Sequence, residues 1–274
     1  MEYIKSLFDI KDRVVIITGG GGIIGGELAK GFVNSGAKVV LLGRTETTLN
    51  KRVDSLKTPD NEIISFECDV LDRERLNAVN DKILARYGRI DILVNAAGGN
   101  MPGATIGVDQ DIFDLKIDEF NKVTDLNFNG TVLPTLTFAK SMAENKKGSI
   151  INISSMASMR AITRVVGYSA GKAAVDNFTK WMAVELSQKF GSGLRINAIA
   201  PGFLLTNQNR TLLTNEDGSL TERGKSIIKI TPFKRFGEPD EMVGTVIWLA
   251  SDASKFVTGA IIPIDGGFSV FSGV

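Results

Sequence analysis

The chain has 274 residues, 43% hydrophobic and 23% charged, enough to bury one large core. A formal net charge of +1, with Lys and Arg interspersed among Asp and Glu, gives no sequence-wide pull toward nucleic acid or anionic membrane. There is no histidine, and Cys68 is the only cysteine, so internal disulfides, Ser-His and Cys-His nucleophiles and multi-cysteine metal sites are excluded.

Acid/base chemistry therefore falls to Tyr, Lys, Asp or Glu, and there are only three tyrosines. The opening MEYIKSLFDIKDR lacks the apolar core and small-residue cleavage site of a signal peptide. No apolar run approaches the ~18 residues that span a bilayer, so a cytoplasmic protein without membrane partners is expected. The 29 glycines are clustered rather than periodic, which excludes a collagen-like or low-complexity sequence.

In chain order, VVIIT (14–18) reads as a buried strand, followed by a glycine-rich turn and a helix over about 24–35. A strand over 39–42, a helix over about 46–57, a strand over 63–67, a helix over 73–87 and the strand ILVN (92–95) follow. The next helix starts near Ile117 and runs to about Asn145, with a break expected at Asn127–Gly130. Then come a strand over 149–153, a long helix over about 168–189 and a strand over 195–200. A less regular stretch over 201–239 precedes a helix over 239–250 and a strand over 260–264. The strand runs are continuously β-branched and apolar rather than alternating, as in parallel sheets covered on both faces. Seven strands with intervening helices and no linker predict an α/β fold: one doubly wound domain over 1–274 with a seven-stranded parallel sheet.

The segment Thr18-Gly19-Gly20-Gly21-Gly22-Ile23-Ile24-Gly25-Gly26 lies between the first strand and the first helix. Glycines there let the backbone approach a diphosphate, and the helix N-terminus offers free N–H groups and a favourable dipole. That context predicts a dinucleotide site. The second strand ends in Gly43-Arg44, without the carboxylate that binds ribose hydroxyls and repels a 2′-phosphate. Arg44 can pair with that phosphate or stack on adenine in either cofactor; the reading favours NADP over NAD, although the turn itself carries no Lys or Arg. Further on, Tyr168 and Lys172 stand four apart and share a helical face. A nearby ammonium is expected to lower the phenol's titration from near 10, making Tyr168 a proton donor and acceptor.

These motifs together resemble the short-chain dehydrogenase/reductase family. The turn is similar to that family's T-G-x-x-x-G-x-G, except that the middle glycine falls on Ile23 with Gly22 just before it. The resemblance implies NAD(P) binding by Gly19, Gly22, Ile24 and Gly25, by Asp69 and Val70 beside adenine, and by Asn95, Ala96 and Gly98 of Asn95-Ala96-Ala97-Gly98. Tyr168, Lys172 and the Pro201-Gly202 turn complete that expected cofactor set. It implies catalysis by Asn127, Ser155, Tyr168 and Lys172, with Asn129 the neighbouring alternative to Asn127. Ser155, thirteen residues before Tyr168, is preferred over Ser154.

The stretch over 203–237 corresponds to the family's substrate loop. With the TGGGG turn and the ending PIDGGFSVFSGV, it resembles the bacterial D-mannonate oxidoreductases (fructuronate reductases) of the short-chain type. The implied substrate is a small sugar acid, and Asn100, Arg160, Arg164 and Arg210 are candidate contacts, with the amides Asn207, Gln208 and Asn209 near Arg210. Other readings are a reductase of gluconate-like, acyl or cyclic ketones, and a non-catalytic dinucleotide-binding regulator. The apolar tail over 268–274 is expected to pack against another subunit, and the family resemblance implies a homotetramer.

Overall fold

The computed structural model describes residues 2–107, 109–206 and 209–274. The elements run α1 (Glu2–Leu7), β1 (Val14–Thr18), α2 (Ile23–Asn34), β2 (Lys38–Gly43), α3 (Glu46–Leu56), β3 (Ile63–Glu67), α4 (Arg73–Tyr87) and β4 (Ile92–Asn95). After two short 3-10 turns come α5 (Ile117–Glu144), β5 (Gly148–Ile153), α6 (Val166–Phe190) and β6 (Leu194–Pro201). The fold closes with α7 (Arg210–Leu213), α8 (Glu222–Ile230), α9 (Val243–Ala250) and β7 (Ile261–Ile264). All seven strands pair in parallel, in the order β3-β2-β1-β4-β5-β6-β7. This is the single doubly wound sheet expected from the sequence.

The β-branched runs fill both layers at once because successive strand side chains point to opposite faces. Val15 and Ile17 of β1 join Leu28 and Phe32 of α2 and Val246 and Leu249 of α9 on one face. Val14 and Ile16 join Leu76 and Val79 of α4 and Phe138 of α5 on the other. Phe32 and Phe138 are fully buried; truncating either to Ala is expected to cost ~3–5 kcal/mol.

Three expectations are corrected. α5 does not break at Asn127–Gly130. The Asn127 amide donates to the Val123 carbonyl, and the Thr131 and Thr135 hydroxyls donate to the carbonyls four residues before them. The polar residues that suggest a break are thus satisfied along the helix itself. The stretch after β6 is more ordered than its composition suggests. It contains α7 and α8, pinned by bridges between Leu204 and Gly237 and between Thr214 and Leu220. The tail packs first on its own domain: Phe268 is buried edge-to-face on Phe203 with ring centroids 5.3 Å apart, and Arg160 donates to the Phe271 carbonyl. Val270 and Val274 remain exposed. Smaller differences are the short helix α1, which no sequence pattern announces, and Pro239–Met242, which is a 3-10 turn leading into α9.

Candidate active site

At the carboxyl ends of the strands, where the sheet order reverses between β1 and β4, lies a cavity of about 970 Å³. Such switch points are where open α/β sheets bind ligands. Its floor is the glycine-rich turn. Gly19 has φ +65°, and a Cβ there would lie 2.8 Å from the Ala96 carbonyl oxygen. A Cβ at Gly25 would overlap the Gly19 carbonyl, so β1, the turn and β4 can approach only without side chains at these positions. Thr18, at the end of β1, ties the turn to β4: its Oγ1 accepts from the Ala96 and Ala97 amides at 3.1 Å each.

Gly22 closes the turn. The Gly22 amide donates to the Gly19 carbonyl at 2.9 Å, and Gly22 becomes the N-cap of α2 with no side-chain cap. Gly22, Ile23, Ile24 and Gly25 all line the cavity, so an uncapped helix N-terminus faces it. A diphosphate fits that cradle. Gly43, Arg44, Cys68 and Val70 line one end of the crevice; Ala96, Gly98, Asn100, Pro201 and Gly202 line it further along. Burial pushes the Cys68 thiol up to about 11, so it is a wall rather than a nucleophile.

Ser155, Arg164 and Tyr168 line the other end. Ser155 caps a 3-10 turn over Met156–Ser158, its hydroxyl accepting from the Ala157 amide at 3.1 Å. Tyr168 lies in the first turn of α6 and lines the cavity beside Ser155. Burial raises its phenol above the ordinary value, and the neighbouring Ser155 hydroxyl opposes that shift. The expectation that Lys172 lowers this phenol is therefore corrected: burial sets the direction, and the lysine is not among the groups that shift it. Lys172 is itself buried, its Nζ 5.7 Å from the Tyr168 ring centroid and 2.7 Å from the Ile153 carbonyl it donates to. Burial brings its amine down to about 8, with the Asp176 carboxylate opposing.

Several expected residues stand behind the cavity wall rather than in it. Asn127 is fully buried and brackets Gly99 from α5; its neighbour Asn129 instead donates to Asp125 on the outer side of the helix. Asn95 is buried in a ladder, donating to Thr135 and Asn152, while Asn152 donates to Thr179. The Asp69 carboxylate accepts from the Leu71 amide in its own turn. Of the three arginines expected at the substrate, only Arg164 lines the cavity among the described residues. Arg160 is exposed and holds the tail, and Arg210 is exposed at the start of α7. Asn209 lines the cavity, but its side chain closes a local turn with Thr206 and Leu204. Asn207 and Gln208 lie outside the described residues.

Two further residues belong to the site without having stood out in the sequence. Asp176, on α6 one turn beyond Lys172, accepts from the Ser154 and Ser158 hydroxyls on either side of Ser155. Its signal is the i, i+4 spacing from Lys172. Arg223 lines the cavity from α8, a helix hidden in the stretch of irregular composition.

A short-chain dehydrogenase/reductase family model, described as enoyl-(acyl carrier protein) reductase, matches residues 22–269. An uncharacterized oxidoreductase UxuB of Bacillus subtilis is 40% identical, over 97% of this chain and 98% of its own. A crystal structure from Haemophilus influenzae with bound NAD, provisionally named a D-mannonate oxidoreductase, is 38% identical with TM-score 0.91. It covers 99% of this chain and 100% of its own. A gluconate 5-dehydrogenase from Burkholderia cenocepacia, in complex with NADP and tartrate, is 31% identical with TM-score 0.84, over 96% of this chain and 98% of its own. Among the described residues, no helix is long and apolar enough to cross a membrane, and no group of His, Cys, Asp and Glu is arranged to hold a metal ion.

Proposed function

This chain belongs to the short-chain dehydrogenase/reductase family and is an NAD(P)-dependent oxidoreductase; we propose that it interconverts D-fructuronate and D-mannonate. The observation that carries the chemistry is that Ser155 and Tyr168 line the same end of the cavity, with the buried Lys172 Nζ 5.7 Å from the Tyr168 ring centroid. The name of the substrate is supported by the likeness to the Haemophilus protein.

When bound, the nicotinamide supplies or accepts a hydride at the substrate carbon. Tyr168 gives its phenolic proton to the ketone oxygen in reduction and takes it back in oxidation. The raised phenol keeps Tyr168 protonated through neutral pH, the form that reduction needs. Ser155 hydrogen-bonds the same oxygen. Lys172 holds positive charge near the phenol, and Asn127 fixes the Gly98–Gly99 wall against which Lys172 packs. Gly19, Gly22 and Ile24, which line the cavity, would cradle the diphosphate; Val70 would wall the adenine, and Pro201 and Gly202 would flank the nicotinamide. Phe203, Leu204, Leu212 and Leu213, which line the cavity after β6, would border the substrate.

Arg44 supports NADP over NAD. It is exposed at the cavity edge, has no ion-pair partner among the described residues, and follows Gly43 where a carboxylate would repel the 2′-phosphate. The NAD in the Haemophilus structure favours the second reading, NAD. Exposed Leu136 on α5 with Trp181 and Val184 on α6 supports assembly, a homotetramer by family habit. Sedimentation beside Trp181→Lys checks it, and a monomeric wild type contradicts it.

Initial rates with D-fructuronate, a ketogluconate and a neutral cyclic ketone test the substrate. Fastest turnover of D-fructuronate, yielding D-mannonate, is expected. Faster turnover of either other ketone overturns that assignment in favour of its class, and cofactor binding without any turnover favours the regulator.

A further inference from the structure

Three of the residues lining the cavity are arginines, Arg44, Arg164 and Arg223, and none is Asp or Glu. Arg44 follows β2, on the other side of β1 from Ser155 and Tyr168, whereas Arg164 lies four residues before Tyr168 and Arg223 comes from α8. We propose that Arg164 and Arg223 form a two-guanidinium clamp for the carboxylate of a small hydroxy- or keto-acid substrate.

The two cations are held by different means. Arg164 sits four residues before Tyr168 with φ +77°, a left-handed conformation that costs a non-glycine residue about 1 kcal/mol or more. It is kept there by a reciprocal pair of bonds: the Ile106 amide donates to the Arg164 carbonyl at 3.0 Å, and Arg164 Nε donates to the Ile106 carbonyl at 2.7 Å. The Nε bond fixes the plane of the guanidinium and leaves its terminal amino groups with no acceptor among the described residues. Arg223 comes from the first turn of α8, which Thr221 caps by accepting from the Gly224 amide at 3.1 Å. Its guanidinium is half-buried and has no hydrogen bond or ion pair among the described residues.

Burial lowers Arg223's affinity for its proton, and the charge of Arg164 lowers it further. Two partly desolvated like charges, without a carboxylate beside them, repel each other and are poorly solvated. An anion between them relieves both penalties, and the planar forks of two arginines match a carboxylate's paired oxygens. The clamp rests on the sugar-acid reading above for its substrate class, but not on which sugar acid is turned over.

The test uses the holoenzyme with NADPH and two probes, D-gluconate as an anionic binder and D-fructose as its neutral counterpart, alongside D-fructuronate kinetics. Arg223→Gln is the principal variant because Arg223 makes no bond that holds the fold, and Arg164→Lys keeps charge while losing the planar fork. D-Gluconate binding is expected to weaken about 10- to 100-fold in Arg223→Gln and less in Arg164→Lys, with NADPH affinity unchanged. D-Fructose binding is expected to be unaffected. For D-fructuronate, KM rises by the same factor and kcat falls less. D-Gluconate binding equal in wild type and Arg223→Gln overturns the clamp even if D-fructuronate is turned over. Arginine-dependent D-gluconate binding without D-fructuronate turnover supports the clamp and rejects only the named substrate.

Discussion

Asn127 brackets Gly99: its Nδ2 donates to the Gly99 carbonyl at 2.8 Å while its Oδ1 accepts from the Gly99 amide at 3.0 Å. A buried side-chain amide thus does for the end of β4 what a neighbouring strand would do. Beside it, a Cβ on Gly98 would lie 2.7 Å from Asn127 Oδ1 and 3.1 Å from Lys172 Nζ. Three residues far apart in sequence therefore share one packing point.

Asn127→Ala leaves both Gly99 groups unpaired. It is expected to cost ~2 kcal/mol of stability and to lower kcat ~10-fold or more, read by thermal melting and steady-state kinetics. Gly98→Ala is expected to lower activity through Lys172 displacement. Full activity in both variants would show that this wall does not position the lysine.

Lys172 carries a pH signature. Its amine titrates near 8 when folded, against an ordinary value near 10.4 when unfolded. A lowered lysine value means that folding disfavours the charged form. That penalty is fully present below pH 8 and fades as pH rises from about 8 toward 10.4. Lys172→Met removes the penalty, so its melting temperature at pH 7 is expected to equal or exceed the wild type's while kcat falls ~10²-fold or more. Reduction by the wild type is expected to decline above about pH 8 as the ammonium is lost. A variant that is both less stable and fully active would contradict this.

Asp176 positions Ser155 through Ser154 and Ser158, and its charge supports the Lys172 ammonium. Asp176→Asn is expected to lower kcat more than it raises KM. It also moves the decline in reduction rate to lower pH, because the lysine amine loses the charge that opposes its desolvation. An unshifted pH profile would restrict Asp176 to a structural role.

The NADP reading rests on Arg44. Arg44→Ala is expected to raise KM for NADPH ~10-fold or more with little change for NADH. Equal changes for both cofactors would point to adenine stacking instead.

The strands and most helices are legible in the sequence because apolar runs and capping residues are local signals. β1, β3 and β4 lie where their apolar runs place them, and α4 starts after Asp72, whose carboxylate accepts from the Arg75 amide. Tyr168, Lys172, Ser155 and the glycine turn are legible because their spacing places them on adjoining elements. What is not legible depends on contacts between distant segments. Arg164 and Arg223 line one cavity only because α8 brings Arg223 to it, and α8 lies in a stretch of mixed polarity between Pro201 and Pro239. Arg210 and Arg160 carry the same charge, but backbone direction turns them to solvent and to the tail. The Asn127 bracket likewise depends on α5 staying unbroken, against the propensity of its own residues.

The most direct test is kcat for D-fructuronate reduction by wild type and Tyr168→Phe, followed by loss of reduced-nicotinamide absorbance. A loss of ~10³-fold or more in the variant, with unchanged cofactor affinity and melting temperature, is predicted. A variant keeping more than about a tenth of wild-type kcat would contradict the assignment of Tyr168 as the proton donor.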